Sequence, residues 1–245
     1  MVSAVRADDG RRCLFIASEV RCGSTFIAET IAYELKRSFD FNLWDLAKEP
    51  FSYLDHDSTP EQALETRRWL HFDASGFVAA KIMCKGLSQL HRLAQNSPDL
   101  RDAFFGERAR WLIVRRRDRV EQATSLALAR KTQTFHYYGD PELAADNTAE
   151  LTIGDIDAAL KAVALSDIYL EAFASSLRPE RSLSFLYEDF VNDQPGHLAR
   201  VHELCGFPPF GAASYVNESK IKQTAGSAKR AYSAQFKRWF LANNG

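Results

Sequence analysis

An α/β fold, built on a parallel sheet between layers of helices, is predicted by three observations. Four short apolar segments, at 13–18, 77–83, 111–114 and 183–187, each run into turn or helix signals, as strands buried in a parallel sheet do. Helical periodicity fills the intervals between them. Two of the four segments, the first and the third, pass directly into a helix start through a short polar turn, the junction at which α/β proteins hold anions.

Taken in order, the first strand, 13–18, turns through Glu19, Val20, Arg21, Cys22 and Gly23 into a helix whose ridge is Ile27, Ile31 and Leu35. An irregular stretch at 39–60 follows, rich in aromatic and acidic residues and containing Lys48-Glu49-Pro50. The second strand, 77–83, is apolar except for Lys81. An unpaired ammonium is costly in such a place, so Lys81 is expected either to pair with an acid or to aim at a ligand. The third strand, 111–114, runs into Arg115-Arg116-Arg117-Asp118, and the helix that starts there carries Gln122 and Ser125. The aromatic stretch at 132–141, with His136, Tyr137 and Tyr138, interrupts the periodicity. A longer helix is expected to bury Ile156, Leu160, Ala164 and Ile168 at i, i+4 spacing. After the fourth strand, a helix at about 195–204 stops at Cys205-Gly206. Pro208-Pro209 then opens a basic, polar extension at about 207–245 that contains Lys220, Lys222, Lys229, Arg230, Lys237 and Arg238. The first twelve or so residues are expected to be flexible, and the whole of 1–245 is read as a single domain.

The turn at 19–25 lacks what a nucleoside-triphosphate loop requires. That loop is G-x-x-x-x-G-K-[ST], its Lys on the outer phosphates and its hydroxyl on magnesium. Here Gly23-Ser24-Thr25 remains, no Lys precedes the hydroxyls, and Arg21 supplies the positive charge. The loop is P-loop-like, suited to a phosphate that needs no magnesium. A helix N-terminus offers unpaired N–H groups and partial positive charge, so two such turns predict one anionic ligand held at two ends. A nucleotide phosphorylated at two positions makes that demand.

Composition narrows the partners. Lys plus Arg number 31 against 32 Asp plus Glu, a net charge of −1 that argues against a dedicated nucleic-acid or anionic-membrane binder. Four cysteines at 13, 22, 84 and 205 form neither C-x-x-C pairs nor a disulfide framework and read as reduced thiols. The six histidines lack metal-ligand spacing, and no metal is expected. With no apolar run of about 20 residues and a polar N-terminus, the expected location is the cytoplasm.

Several motifs, in order, then resemble one family. Arg21-Cys22-Gly23-Ser24-Thr25 resembles the P-R-S-G-S-T loop of the bacterial carbohydrate sulfotransferases, the group that includes trehalose 2-sulfotransferase and its lipopolysaccharide and nodulation-factor relatives. Ala47-Lys48-Glu49-Pro50 resembles that family's G-E-P, and Lys81-Ile82-Met83 its K-[LI]-M. Arg116 to Ser125 resembles its R-x-D-x-V-x-Q-A-x-S-L, and Tyr187-Glu188-Asp189-Phe190 its Y-E-D-L. The resemblance implies the sulfotransferase fold and 3′-phosphoadenosine 5′-phosphosulfate (PAPS) as sulfuryl donor, with the bisphosphate PAP as product. It implies that Arg21, Cys22, Gly23, Ser24 and Thr25 cradle the 5′-phosphosulfate, that Arg116 and Ser125 hold the 3′-phosphate with Arg117 as the register alternative, and that Glu49 is the general base. Arg21 would also stabilise charge on the departing phosphate.

The expected acceptor is a hydroxyl of a carbohydrate, glycolipid precursor or related small molecule, and a homodimer is compatible with the sequence. The sequence departs from the family's pattern at Val20, Cys22 and Cys84-Lys85. Two other functions fit parts of the pattern: a P-loop kinase of a small molecule, which the missing Lys disfavours, and a nucleotide-binding relative without turnover.

Overall fold

A computed structural model of the protein describes residues 12–41, 43, 46, 48–70, 77–133, 149–211 and 227–244. Strand β1 (Arg12–Ser18) leads into helices α1 (Ser24–Phe39) and α2 (Pro60–Trp69), then β2 (Phe77–Met83), α3 (Cys84–Ala94) and α4 (Pro98–Phe105). Strand β3 (Ala109–Arg115) follows, with α5 (Arg119–Thr132) and α6 (Ile153–Ser176). Strand β4 (Ser182–Leu186), α7 (Tyr187–Asn192), α8 (Gln194–Cys205) and α9 (Ser227–Asn244) complete the order. The predicted α/β class is correct.

The four strands form one parallel sheet in the order β2-β1-β3-β4. Parallel neighbours need crossover connections, which the helices supply. From β1 the chain goes outward to β2 on one side and then to β3 on the other. The connections therefore part company beyond the carboxyl ends of β1 and β3, where open α/β sheets bind ligands. The two turns singled out in the sequence lie at that divide.

Side chains alternate across the sheet. Phe15, Ala17, Ile82, Trp111 and Ile113 pack on one face against α3, α4 and α6. Leu14, Ile16, Leu112 and Val114 pack on the other against α1, α7 and α8, and the predicted ridge of Ile27, Ile31 and Leu35 is buried there. All four cysteines are buried.

Two expectations are corrected. In α6 the buried line is Ile156, Ala159, Val163, Leu170 and Phe173, and Ile168 is 66% exposed. Each i+4 step advances about 40° around a helix, so a strict i+4 line has turned away from the core by its third step. The basic extension is more than a polar tail, because α9 delivers Phe236 to a cluster with Ala123 and Ala127 of α5 and Ile156 and Val163 of α6. Residues 1–11 of the expected flexible terminus, and His136, Tyr137 and Tyr138, lie outside the described residues. Among the described residues no helix is long and apolar enough to cross a membrane.

Candidate functional site

The turn after β1 adopts two left-handed backbone conformations, at Arg21 (φ 61°) and Gly23 (φ 89°). Gly23 is required twice over: its φ disfavours a side chain, and a Cβ there would lie 2.1 Å from the ring of Tyr187. Gly23 caps α1 without a side chain, so no carboxylate of the turn competes for that N-terminus. The Cys22 side chain is buried among Leu14, Ile16 and Ile27, and burial pushes its thiol up. Within the turn, that thiol meets Ser24.

The second turn is organised differently from the expectation. Glu188 accepts hydrogen bonds from the N–H groups of Arg117 (2.9 Å) and Asp118 (3.3 Å), and Asp118 Oδ1 accepts from Glu121 N (2.9 Å). The start of α5 is thus capped by the protein's own carboxylates. An anion at this end would be met by side chains rather than by open backbone, since Asp118 and Glu188 already hold those N–H groups.

Those side chains converge on the first loop. Arg21 Nε donates to Ser125 Oγ at 2.9 Å, and Arg116 Nη1 donates to the Arg21 carbonyl at 3.2 Å. Gln122 Nε2 donates to the Val20 carbonyl at 2.8 Å, which ties α5 to the same loop. Arg116 also pairs with Glu121 at 2.8 Å and lies over the Tyr187 ring at 5.3 Å. Burial, with Arg116 adding to it, lowers the pKa of the Arg21 guanidinium. Arg117 points away, 58% exposed and paired with Asp189 at 2.6 Å. Of the two register alternatives, only Arg116 joins the loop.

A second group meets at the other side of that loop. Lys81 is 1% exposed; its Nζ lies 3.1 Å from Glu49 Oε1 and donates to Thr25 Oγ1 at 3.0 Å. The first alternative of the sequence expectation holds, since the ammonium is paired with an acid, and the same ammonium bonds a hydroxyl of the loop. Glu49 is presented by a turn anchored through Phe51 and Leu54 in the core. Phe51 can approach because residue 86 is glycine: a Cβ there would lie 2.9 Å from the Phe51 carbonyl oxygen.

The structure therefore brings Arg21, Gly23, Ser24, Thr25, Arg116, Ser125, Lys81 and Glu49 around one loop. Tyr187, Glu188, Glu121 and Lys229 also belong to this neighbourhood, though the sequence assigned them no role there. Tyr187 and Glu188 were visible as part of a motif, whereas Lys229 was one basic residue among many. Among the described residues, one group of side chains lies close enough to share a cation: the exposed turn Asp55, His56 and Asp57. Asp55 there already accepts from Ser58 and from the Asp57 N–H.

The model of the Stf0 sulphotransferase family matches residues 78–239. No curated protein sequence matches the chain. Among solved structures, a sulfotransferase from Alicyclobacillus acidocaldarius aligns at 15% identity over 95% of this chain and 96% of that one, with a TM-score of 0.47. The sulfotransferase domain of the Synechococcus PCC 7002 olefin synthase aligns at 14% identity over 94% and 89%, TM-score 0.45. The sulfotransferase domain from the curacin biosynthetic pathway aligns at 14% identity over 89% and 82%, TM-score 0.45.

Proposed function

The chain belongs to the Stf0 sulphotransferase family, whose model spans more than half of it, and from that premise we propose that it transfers a sulfuryl group from PAPS to a hydroxyl of a carbohydrate, glycolipid precursor or related small molecule in the cytoplasm. The observation that carries the donor reading is the junction of Arg21, Ser125 and Arg116 where β1 and β3 end. It places cationic and hydroxyl groups beside a helix start that has no side-chain cap, so the residues fit a ligand with phosphates at two positions. Arg21, Ser24, Thr25 and the backbone of Cys22 and Gly23 would hold the phosphosulfate end, and Arg116 and Ser125 the 3′-phosphate. When bound, PAPS supplies the sulfuryl group and leaves as PAP.

The chain's own residues would do three things. Arg21 and the first turn of α1 face charge that grows on the departing phosphate, the kind of stabilisation group transfer chiefly needs. Glu49 accepts the proton of the acceptor hydroxyl on its carboxylate. Lys81 positions Glu49 against Thr25, so that base and donor loop keep one spacing.

Thermal melting with and without nucleotide tests the donor reading. Adenosine 3′,5′-bisphosphate should raise the melting temperature in a concentration-dependent way without magnesium, because a ligand that binds only the folded state stabilises it by mass action. Stabilisation by ATP with magnesium, and none by the bisphosphate, would overturn the donor. Turnover of Glu49→Gln tests the base. It should fall about 10²- to 10⁴-fold while bisphosphate affinity stays close to that of the unaltered protein. Near-normal turnover would remove Glu49 from the reaction.

A further inference from the structure

Glu121 sits in the first turn of α5 and gives one carboxylate oxygen to each of two cations. Its Oε2 lies 2.8 Å from Arg116 Nη2, and its Oε1 lies 2.9 Å from Lys229 Nζ. The two cationic side chains are 12% and 11% exposed. Lys229 comes from α9, which is fastened to α5 at two further points. Ser233 Oγ donates to Thr124 Oγ1 at 3.0 Å, and Lys237 Nζ reaches Asp118 Oδ2 at 2.8 Å.

Three positive groups, Arg21, Arg116 and Lys229, therefore crowd the end of the loop, and an internal carboxylate bonds two of them. Burial lowers the pKa of the Lys229 ammonium, and Arg116 and Arg21 press in the same direction against Glu121. Burial works against the charge on Glu121 as well, yet Lys229 and Arg116 outweigh it and hold the carboxyl below its ordinary range. Like charges gathered this closely repel one another, and Glu121, with Glu188 farther off at 3.7 Å from Arg116 Nε, offsets them only in part. A phosphate brings more negative charge and three acceptor oxygens to the same donors.

We propose that Glu121 is an internal counter-anion, displaced from Arg116 and Lys229 by a nucleotide phosphate, and that this exchange makes Lys229 a ligand of that phosphate and links its binding to the seating of α9. The proposal rests on the donor reading above. Glu121 is a positioning residue: it holds two half-buried cations in place and yields them on binding. Its carboxylate competes with the phosphate, so its charge weakens affinity rather than adding to it.

Titration calorimetry with adenosine 3′,5′-bisphosphate and with adenosine 5′-phosphate, on the unaltered protein, Glu121→Gln and Lys229→Met, tests it. Glu121→Gln keeps the shape and removes the competing charge, so the bisphosphate should bind about tenfold more tightly, the size of one charge-assisted hydrogen bond, with the monophosphate unchanged. Lys229→Met should weaken the bisphosphate by about the same factor and leave the monophosphate unchanged. Amide exchange in α9 should slow on bisphosphate binding in the unaltered protein and not in Lys229→Met. If Glu121→Gln binds the bisphosphate no better, or more weakly, Glu121 is a structural brace and the exchange is wrong while the donor reading stands. If the unaltered protein does not distinguish the two nucleotides, the donor reading fails and the exchange falls with it.

Discussion

Arg116 and Arg117 are adjacent in sequence and opposite in fate. One lies over Tyr187 and donates to the Arg21 carbonyl; the other faces outward to Asp189. Both stand beyond the end of β3, in the turn that leads to α5, and it is the turn that separates them. Arg116→Ala should weaken bisphosphate binding by about 1.5–3 kcal/mol, the range for a hydrogen bond to a charged group, and Arg117→Ala by far less. Calorimetry on the two variants decides it, and equal losses would mean that the register is misassigned. Ser125→Ala should cost less than Arg116→Ala, since the serine's visible task is to accept from Arg21.

At the scale of elements, the site depends on how helices begin. The start of α1 has no side-chain cap, whereas α6 has a closed start, a capping box in which Thr152 and Asp155 bond each other's backbone. Those bonds, with Lys131, bring the Asp155 carboxyl from 3.8 down to about 2. A carboxylate depressed in the folded state contributes stability above its unfolded pKa and loses it as pH falls through the folded one. The contribution of Asp155 should therefore be present above about pH 4 and vanish towards pH 2. Asp155→Asn should flatten that part of the stability curve, measured by urea unfolding across acid pH. An unchanged acid limb would count against the box. Residue patterning made this start legible as a helix but not as a cap, because Thr152 and Asp155 are ordinary polar residues until the backbone turns between them.

Across the whole molecule, what could be read in the sequence was whatever depends on local pattern. Strands at 13–18 and 77–83 were plain because a buried parallel strand is a short apolar run, and the ridge at Ile27, Ile31 and Leu35 because one helix face is buried. Glu49 and Lys81 each stood out, yet their pairing did not, since it is made by the core anchoring of Phe51 and not by spacing. The capping of α5 by Glu188 was hidden for the same reason, with 71 positions separating it from Arg117. Lys229 was hidden more deeply still, because nothing local marks one lysine of a basic stretch as the partner of Glu121.

The contacts that build the site span 95 positions from Arg21 to Arg116, 104 from Arg21 to Ser125 and 119 from Asp118 to Lys237. Contacts this distant require long loops to close, as does the β1–β3 pairing with Cys13 opposite Ala109, and we expect the site to form with that pairing or after it. The loop and its cations are then largely unmade at the barrier, and a ligand that needs them has nothing to grip there. Adenosine 3′,5′-bisphosphate added to refolding protein should leave the refolding rate nearly unchanged while slowing unfolding, a division that stopped-flow fluorescence in both directions can measure. A nucleotide that sped refolding in proportion to its affinity would mean that the two ends of the site meet early, before the sheet is complete. With the expected division, the nucleotide acts on the protein's lifetime in the folded state and not on the speed of reaching it.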